Sequence, residues 1–429
     1  MRNQLRRTRI VRVLQVSGAL LLLGACLAVL AAALSRNAAN RDFICYWSSA
    51  RLLRAHANPY ATHAILGLEN AAGGAYREPF IMRNPPWALF LIAPLGFFSA
   101  PVAGFLWLVA LIASALLSIR LLRSGQDKPP LVVYLFAPIL GCAMAGQTSI
   151  FLLLGIALFF RYQKRWPFWA GMALVLPAMK PHLFLLLWPV LLVHSWRTRQ
   201  FRILAGLAAG LGCAMSVALL FDPHVWTHYL AAMRAEHIEG QYLPNIPCSL
   251  RALIPGRPAW AQGVPALLGL ALSARFYWRR RDQWDWRRDG AQLLAISAAV
   301  SPYSWPFDQL LYLPVIVDMC AERLPRGMIP ALALLNGIGL LLLLTMMPLS
   351  SPAYAWTGAA CLLWFLWARR QAGLAWGKNV PSSKLATAWP DGLRTSPPPS
   401  SRPRPSPPFP GDTRPANHQT SFPKSSLAS

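Results

Sequence analysis

Asp42 is the acidic residue best placed for acid–base chemistry, because it is the first carboxylate in the chain. It follows an apolar run over residues 13–34 that is long enough to span a membrane. A carboxylate held at a membrane interface could act as a general base. It could equally occupy the first turn of a helix and stabilise the helix dipole. The local sequence leaves both roles open.

The residues from Asp42 to Arg54 predict an amphipathic helix on the outer surface of the membrane. Its apolar positions fall on one face: Phe43, Trp47, Ala50 and Leu53. Arg51 and Arg54 are expected to point away from that face. The predicted helix would therefore lie flat on the membrane with Asp42 at its start.

Lys180 is the most costly residue in the sequence, because it lies within an otherwise apolar run over residues 168–193. A lysine in such a run needs a partner or a polar cavity. Pro181 breaks the helix beside it and His182 follows, so the pattern favours a cationic site for a phosphate. The alternative is a lysine that extends its ammonium group to the outer interface.

Four further residues interrupt apolar sequence and could contact substrate: Arg83, Gln147, Trp305 and Asp308. Arg83 could bind an anionic group, or it could simply lie at a loop end before two prolines. Gln147 could contact substrate or make an interhelical hydrogen bond. Asp308 shares a polar, aromatic break with Trp305, where it could pair with a cation or face a substrate cavity.

A metal site is not predicted. His224 and His228 are four residues apart, a spacing that fits two metal ligands on one helix face. The sequence offers no third ligand at a fixed spacing from them. A loop that covers a substrate cavity is the preferred interpretation of this segment.

Membrane helices must position these residues, as the composition indicates. Of the 429 residues, 55% are hydrophobic and 13% are charged, whereas soluble domains carry about 25% charged residues. The net charge of +26 comes from short basic clusters between apolar runs, which is typical of cytoplasmic loops and not of a nucleic-acid site. Placing every cluster in the cytoplasm predicts about twelve crossings, with outer loops over residues 36–86 and 222–260.

The predicted membrane domain covers residues 1–370, and residues 371–429 predict a disordered cytoplasmic tail rich in proline and serine. Three breaks in the apolar sequence fall at the outer face, near Gln147, near Lys180 and over residues 301–308. Interrupted hydrophobic segments of this kind indicate a binding site. The outer face is therefore the predicted active side.

An ordered series of short motifs runs from about residue 40 to residue 310. It comprises Asp42-Phe43, Tyr46, Ala50-Arg51, Asn58-Pro59-Tyr60, Asn84-Pro85-Pro86, Pro94-Leu95, Gly146-Gln147, Gly171, Lys180-Pro181 and Ser301-Pro302 with Trp305. The series resembles glycosyltransferase family 87, the polyprenol-phosphate-sugar-dependent mannosyl- and arabinofuranosyltransferases of the GT-C superfamily. The resemblance implies an all-α polytopic fold, inverting transfer on the outer membrane face, and Asp42 as the catalytic acidic residue.

The chemistry of a lipid-linked donor agrees with the residues. A sugar on a polyprenyl phosphate is activated by its leaving group, and the sequence has no glycine-rich phosphate loop and no Asp-x-Asp motif. We therefore expect no cofactor and no divalent metal. The expected partners are the polyprenyl-phosphate sugar, a cell-envelope glycan or glycolipid acceptor, and membrane lipid, but not nucleic acid.

The expected location is the inner (plasma) membrane, with the active site facing the periplasm or outside. A lipid or sugar transporter is one alternative, because broken helices with buried charge also suit transport. A non-catalytic envelope-assembly protein is another.

Overall fold

A computed structural model describes residues 42–123, 129–236, 242–321, 324–325 and 327–372. No strand occurs among them, and the α-helices make the fold all-α, as the sequence predicts. The α-helices are α1 Asp42–Arg54, α2 Thr62–Ala71, α3 Leu89–Ile92, α4 Ala100–Leu122, α5 Leu131–Tyr134, α6 Ala137–Ala145, α7 Ser149–Tyr162, α8 Pro167–Ala173, α9 Leu187–Arg197, α10 Phe201–Phe221, α11 Val225–Ala235, α12 Ile246–Leu253, α13 Trp260–Arg280, α14 Ala291–Val300, α15 Leu313–Ala321, α16 Met328–Leu344 and α17 Thr357–Gln371.

Two of the described helices, α4 and α10, are long and apolar enough to cross a membrane. Several others are apolar but shorter than 18 residues. Large apolar side chains are exposed on many helices, including Leu220, Leu268 and Leu344, which are 76%, 60% and 73% exposed. Exposed apolar surface on this scale needs an apolar environment, which supports a membrane protein. The predicted count of about twelve crossings stays a prediction.

Short helices meet at the three predicted breaks. α6 and α7 are separated by residues 146–148, and two 3₁₀ turns, Pro177–Met179 and Pro181–Phe184, lie between α8 and α9. The 3₁₀ helix Pro306–Tyr312 leads into α15. A proline lies at the start of each of these 3₁₀ segments, where it interrupts the regular helix. The breaks therefore occur where the sequence indicated them.

α1 has the predicted limits, but it is not a surface helix. Every residue from Phe43 to Ala50 is buried, including the polar Ser48 and Ser49. Gly96 lies so close to α1 that a Cβ at this position would be 2.3 Å from the carbonyl oxygen of Ala50. The prediction of an amphipathic helix on the membrane surface is wrong, because residues 43–50 are buried on every face of the helix, although Arg51 and Arg54 are exposed as expected.

The two predicted outer loops contain helices. α2 lies within the loop over residues 36–86, and α11 and α12 lie within the loop over residues 222–260. Residues 36–41 and 237–241 are outside the described ranges, as is the predicted tail from residue 373 onward.

The α8–α10 contact is close, since a Cβ on Gly171 would be 2.0 Å from the carbonyl oxygen of Ile203.

Candidate active site

Lys180 lies at the centre of a buried polar cluster that forms where the three helix breaks meet. The residue is 9% exposed. Its Nζ donates to Gln147 Oε1 at 3.1 Å, Ser149 Oγ at 2.9 Å and Asp308 Oδ1 at 2.9 Å. Three acceptors match the three N–H groups of an ammonium. The alternative that Lys180 reaches the outer interface is therefore wrong, and the need for a buried partner is confirmed.

Asp308 supplies the negative charge that balances Lys180, and it is 1% exposed. Oδ1 also accepts the hydroxyl of Ser149, and Oδ2 accepts the backbone N–H of Trp305 at 2.9 Å. A buried ion pair is tolerated only when hydrogen bonds satisfy its remaining atoms. Both carboxylate oxygens meet that requirement. Of the two roles predicted for Asp308, pairing with a cation is confirmed.

Helix α1 reaches the cluster through Tyr46. The Tyr46 hydroxyl donates to Gln147 Oε1 at 2.9 Å, the same oxygen that accepts Lys180. Asp42 is half-buried and begins α1 one turn before Tyr46. Residues four apart share a helix face, so Asp42 lies on the face of α1 that contacts the cluster.

Gly146 allows α1 to approach this closely. It has a left-handed backbone with φ of 70°, and a Cβ there would lie 2.5 Å from Cβ of Phe43. The Gly146 carbonyl accepts the indole N–H of Trp107 at 2.7 Å. Only glycine combines this conformation with the close contact, so the Gly146-Gln147 pair positions both α1 and the amide.

Asp42 shares its surroundings with two other charged residues. Burial, and then the negative charges of Asp42 and Glu69, raise the pKa of the Cys45 thiol, whereas the positive charge of Arg83 lowers it. Such effects fall off with distance. Asp42, Glu69 and Arg83 are therefore close enough to Cys45 for their charges to act on its thiol.

Arg83 belongs to a second polar group. Its Nε donates to the carboxylate of Glu236 at 3.0 Å, and its Nη1 donates to the hydroxyl of Tyr303 at 3.0 Å. The Arg83 side chain is 27% exposed and that of Glu236 is 22% exposed. The ion pair holds the guanidinium at the surface of the region, and anion binding by Arg83 stays a prediction.

Trp305 connects the two polar groups. Its indole N–H donates to the Tyr303 hydroxyl at 3.2 Å, and its backbone N–H donates to Asp308. Hydrogen bonds therefore run without a gap from the Arg83 ion pair to the Lys180 ion pair.

His182 lies beside Tyr303 and outside the immediate contacts of Lys180. The rings of His182 and Tyr303 meet edge to face with centroids 5.5 Å apart. The Nε2 atom of His182 is buried and has no hydrogen-bond partner within the described ranges. A buried polar atom without a partner costs free energy, so a hydrogen bond from a ligand to this atom would stabilise the site.

Two residues that complete the site were missed from the sequence. Ser149 contacts both charges of the ion pair, and Tyr303 joins Arg83 to Trp305. Ser149 has the pattern of an ordinary helix start, and Tyr303 that of an interfacial aromatic residue. Their position inside the breaks was the available signal, because polar groups at a break line a cavity.

His224 directly precedes α11 and His228 lies in its first turn, where His228 pairs with a carboxylate. His228 Nδ1 lies 2.7 Å from Asp222 Oδ2, and the rings of His224 and His228 are 6.3 Å apart. Within the described part of the chain, no group of three His, Cys, Asp or Glu side chains could hold a metal ion. Asp222 therefore orients His228 near the start of α11.

Glu69 gives the site region a testable pH dependence. Burial raises the pKa of this carboxyl from 4.5 to about 7, although the backbone N–H of Phe80 donates to it at 3.2 Å and lowers the pKa in part. The folded state thus holds the proton more tightly than the unfolded chain. The contribution of Glu69 to the free energy of unfolding should therefore fall as pH rises from about 4.5 to about 7.

Thermal unfolding of the purified protein in detergent at pH 5 and pH 7.5 checks this. Between pH 5 and pH 7.5, the free energy of unfolding should fall by about 1–3 kcal/mol less in Glu69→Gln than in the wild type. Glu78→Gln is the matched control, since Glu78 is an exposed carboxylate of the same loop, and it should behave as the wild type does. If the stability of the wild type and of Glu69→Gln depends equally on pH, Glu69 is not the group responsible.

The comparison with known families agrees with the resemblance in the sequence. The model of glycosyltransferase family 87 matches residues 81–302, slightly more than half of the chain. The matched segment contains four of the predicted site residues: Arg83, Gln147, Lys180 and His182. Asp42, Trp305 and Asp308 lie outside it. No curated protein and no solved structure matches the chain.

Proposed function

The chain belongs to glycosyltransferase family 87, and on this basis we propose that it transfers a sugar from a polyprenyl-phosphate donor. The sugar is a hexosyl or pentosyl unit of the mannose or arabinofuranose type, and the acceptor is a cell-envelope glycan or glycolipid. The observation that carries the proposal is the convergence of Gln147, Lys180 and Asp308 beside the helix that begins at Asp42.

Asp42 is the general base in this proposal. Its carboxylate accepts the proton of the acceptor hydroxyl, and the hydroxyl oxygen attacks the anomeric carbon. The bond between that carbon and the phosphate oxygen breaks, and the phosphate leaves with the electron pair. Attack from the face opposite the leaving group inverts the configuration. The half-buried position of Asp42 at the start of α1 supports this role, because a general base must be within reach of the acceptor hydroxyl.

Lys180 stabilises the leaving phosphate in this proposal. The phosphate gains negative charge as the bond breaks, and a cation in a low-dielectric site stabilises that charge strongly. Because Gln147, Ser149 and Asp308 already take the three N–H groups of Lys180, direct contact requires one of them to be exchanged for a phosphate oxygen. Arg83 is the second cation of the region and is nearer the surface.

A transfer assay tests the proposed function directly. Purified protein is supplied with radiolabelled polyprenyl-phosphate mannose or arabinofuranose and with envelope glycolipids, and transfer of the label is measured with and without EDTA. We expect transfer in both conditions, because the donor carries its own leaving group. Movement of label across proteoliposomes without transfer would instead support the transporter alternative, which the buried Lys180–Asp308 pair at a helix break also suits.

The proposed orientation is a multi-pass protein of the inner membrane with the site facing the periplasm or outside. On a cysteine-free background, a membrane-impermeant thiol reagent added to intact cells should label Ala38→Cys and not Ser400→Cys. The reason is that the basic clusters then all lie in the cytoplasm. Permeabilised cells are the control and should label at both positions. Labelling of position 400 in intact cells would overturn the orientation.

A further inference from the structure

A second buried charged cluster lies at the far end of the helices that carry the candidate active site. α7 starts in that site at Ser149, and α14 ends directly before Ser301. At about 1.5 Å per residue, the two helices extend about 15–20 Å from the site to their other ends. There, Lys164 follows α7 and donates to Asp285 at 2.9 Å, a few residues before α14 begins.

Asp289 is the buried carboxylate of this second cluster, and it is 1% exposed. Arg288 binds it with two parallel hydrogen bonds, from Nε to Oδ1 and from Nη2 to Oδ2, both 3.0 Å long. The backbone N–H of Asp285 donates to Oδ2 at 3.0 Å as well. A paired guanidinium and a backbone donor already satisfy this carboxylate.

Arg280 is a second arginine beside the Asp289 carboxylate. Few acceptor positions of that carboxylate remain for it, because Arg288 and the Asp285 backbone already bind there. The residue is 6% exposed, and its Nε lies 3.2 Å from Asp289 Oδ1. Neither Nε nor Nη2 has a hydrogen-bond partner in the part of the chain that the structure describes. A buried charged donor without an acceptor is costly, so an added acceptor beside Arg280 would stabilise these two nitrogen atoms.

The surrounding charge favours an anion. Arg369 is 8% exposed and lies near enough to Arg280, Arg288, Asp289 and Asp318 for their charges to act on it. Two buried guanidinium groups, those of Arg280 and Arg369, thus lie near one buried carboxylate, that of Asp289. Burying cations in excess of anions is unfavourable unless another negative group compensates.

Neighbouring aromatic residues add buried donors. The indole N–H groups of Trp284 and Trp286 are buried and have no acceptor within the described ranges, and the two rings are 5.4 Å apart. Both residues belong to the chain segment that joins Arg280 to Asp289. This segment therefore has a surplus of donors over acceptors, which is the opposite of what a cation site needs.

We propose that the Arg280 cluster, defined as Arg280, Arg288, Asp289 and Arg369, binds a phosphate group at the end of the molecule opposite the candidate active site. A phosphate provides the negative charge and the several acceptor oxygens that the cluster lacks, and a planar guanidinium suits its geometry. Free phosphate and the headgroup of an anionic phospholipid share this chemistry. The site does not depend on the proposed transferase activity.

Thermal unfolding of the purified full chain separates the two sources. In neutral detergent the protein is titrated with sodium phosphate, against sodium chloride at the same ionic strength. In nanodiscs, phosphatidylcholine alone is compared with a mixture that contains phosphatidylglycerol. A saturable rise of Tm with phosphate supports a site for free phosphate, and a rise only with phosphatidylglycerol supports a headgroup site. No rise in either series overturns the proposal.

Two variants locate the effect. Arg280→Gln should weaken the apparent affinity for the stabilising ligand by at least about tenfold, the loss of one charged hydrogen bond. Arg279→Gln changes the same charge one residue away, on an exposed side chain, and should keep the wild-type affinity. If the two variants bind the stabilising ligand with equal affinity, the ligand does not bind at Arg280.

If Arg280→Gln does not fold, Arg280→Lys takes its place. It keeps the positive charge but has fewer donors and no planar group, so we expect an affinity below that of the wild type. A wild-type affinity in Arg280→Lys would show that the phosphate does not bind to the guanidinium.

Discussion

Asp42→Asn is expected to lower the rate of sugar transfer by about 10²–10⁴-fold, the usual contribution of a general base. Asparagine keeps the size of the side chain and can still cap a helix, but it cannot accept the proton of the acceptor hydroxyl. Because Asp42 begins α1 one turn before Tyr46, the substitution leaves the contact between Tyr46 and Gln147 in place. Binding of the polyprenyl-phosphate donor should therefore change little.

The measurement is turnover and donor affinity of purified protein at matched expression and matched Tm. Glu78→Gln is the control, because it makes the same chemical change on an exposed carboxylate of the same predicted loop. It should retain wild-type turnover. If Asp42→Asn transfers sugar at a near-wild-type rate, Asp42 only stabilises the helix start. A loss of turnover in Glu78→Gln would then make Glu78 the candidate base.

The sequence predicted the positions of the helix breaks but not the partners that meet there. A lysine in an apolar run must have a partner, so a buried contact for Lys180 could be expected from the sequence alone. The partner Asp308 lies 128 residues further along the chain. The two meet because α7 packs against both the 3₁₀ turn Pro177–Met179, which precedes Lys180, and the 3₁₀ helix Pro306–Tyr312, which holds Asp308. No local pattern encodes that packing.

The burial of α1 could not be predicted for a related reason. Arg51 and Arg54 on one side of the helix gave it the pattern of a surface helix. In the structure, both guanidinium groups donate to the carbonyl oxygen of Gly96, on the element that covers α1. Both arginines are nevertheless exposed and lie in the last turn, so they give no sign that the preceding residues of the helix are buried.

The final prediction concerns the Lys180–Asp308 pair, for which stability and activity must be separated. Lys180→Met leaves the Asp308 carboxylate buried without its cation, and Asp308→Asn leaves the ammonium without its anion. Breaking a buried pair in this way costs about 3–5 kcal/mol of the free energy of unfolding. Each single variant is therefore expected to lose stability and transfer together, which cannot distinguish a structural role from a role in catalysis.

The double variant Lys180→Met with Asp308→Asn makes that distinction. It removes both charges, and the asparagine oxygen can still accept the backbone N–H of Trp305, so stability should largely return. If Lys180 stabilises the leaving phosphate, transfer should stay at least about 10²-fold below wild type despite the recovered Tm. Recovery of both Tm and transfer would mean that the pair only holds the helix breaks together. Donor affinity, measured in parallel, shows whether the lost contact acts before or during bond breaking.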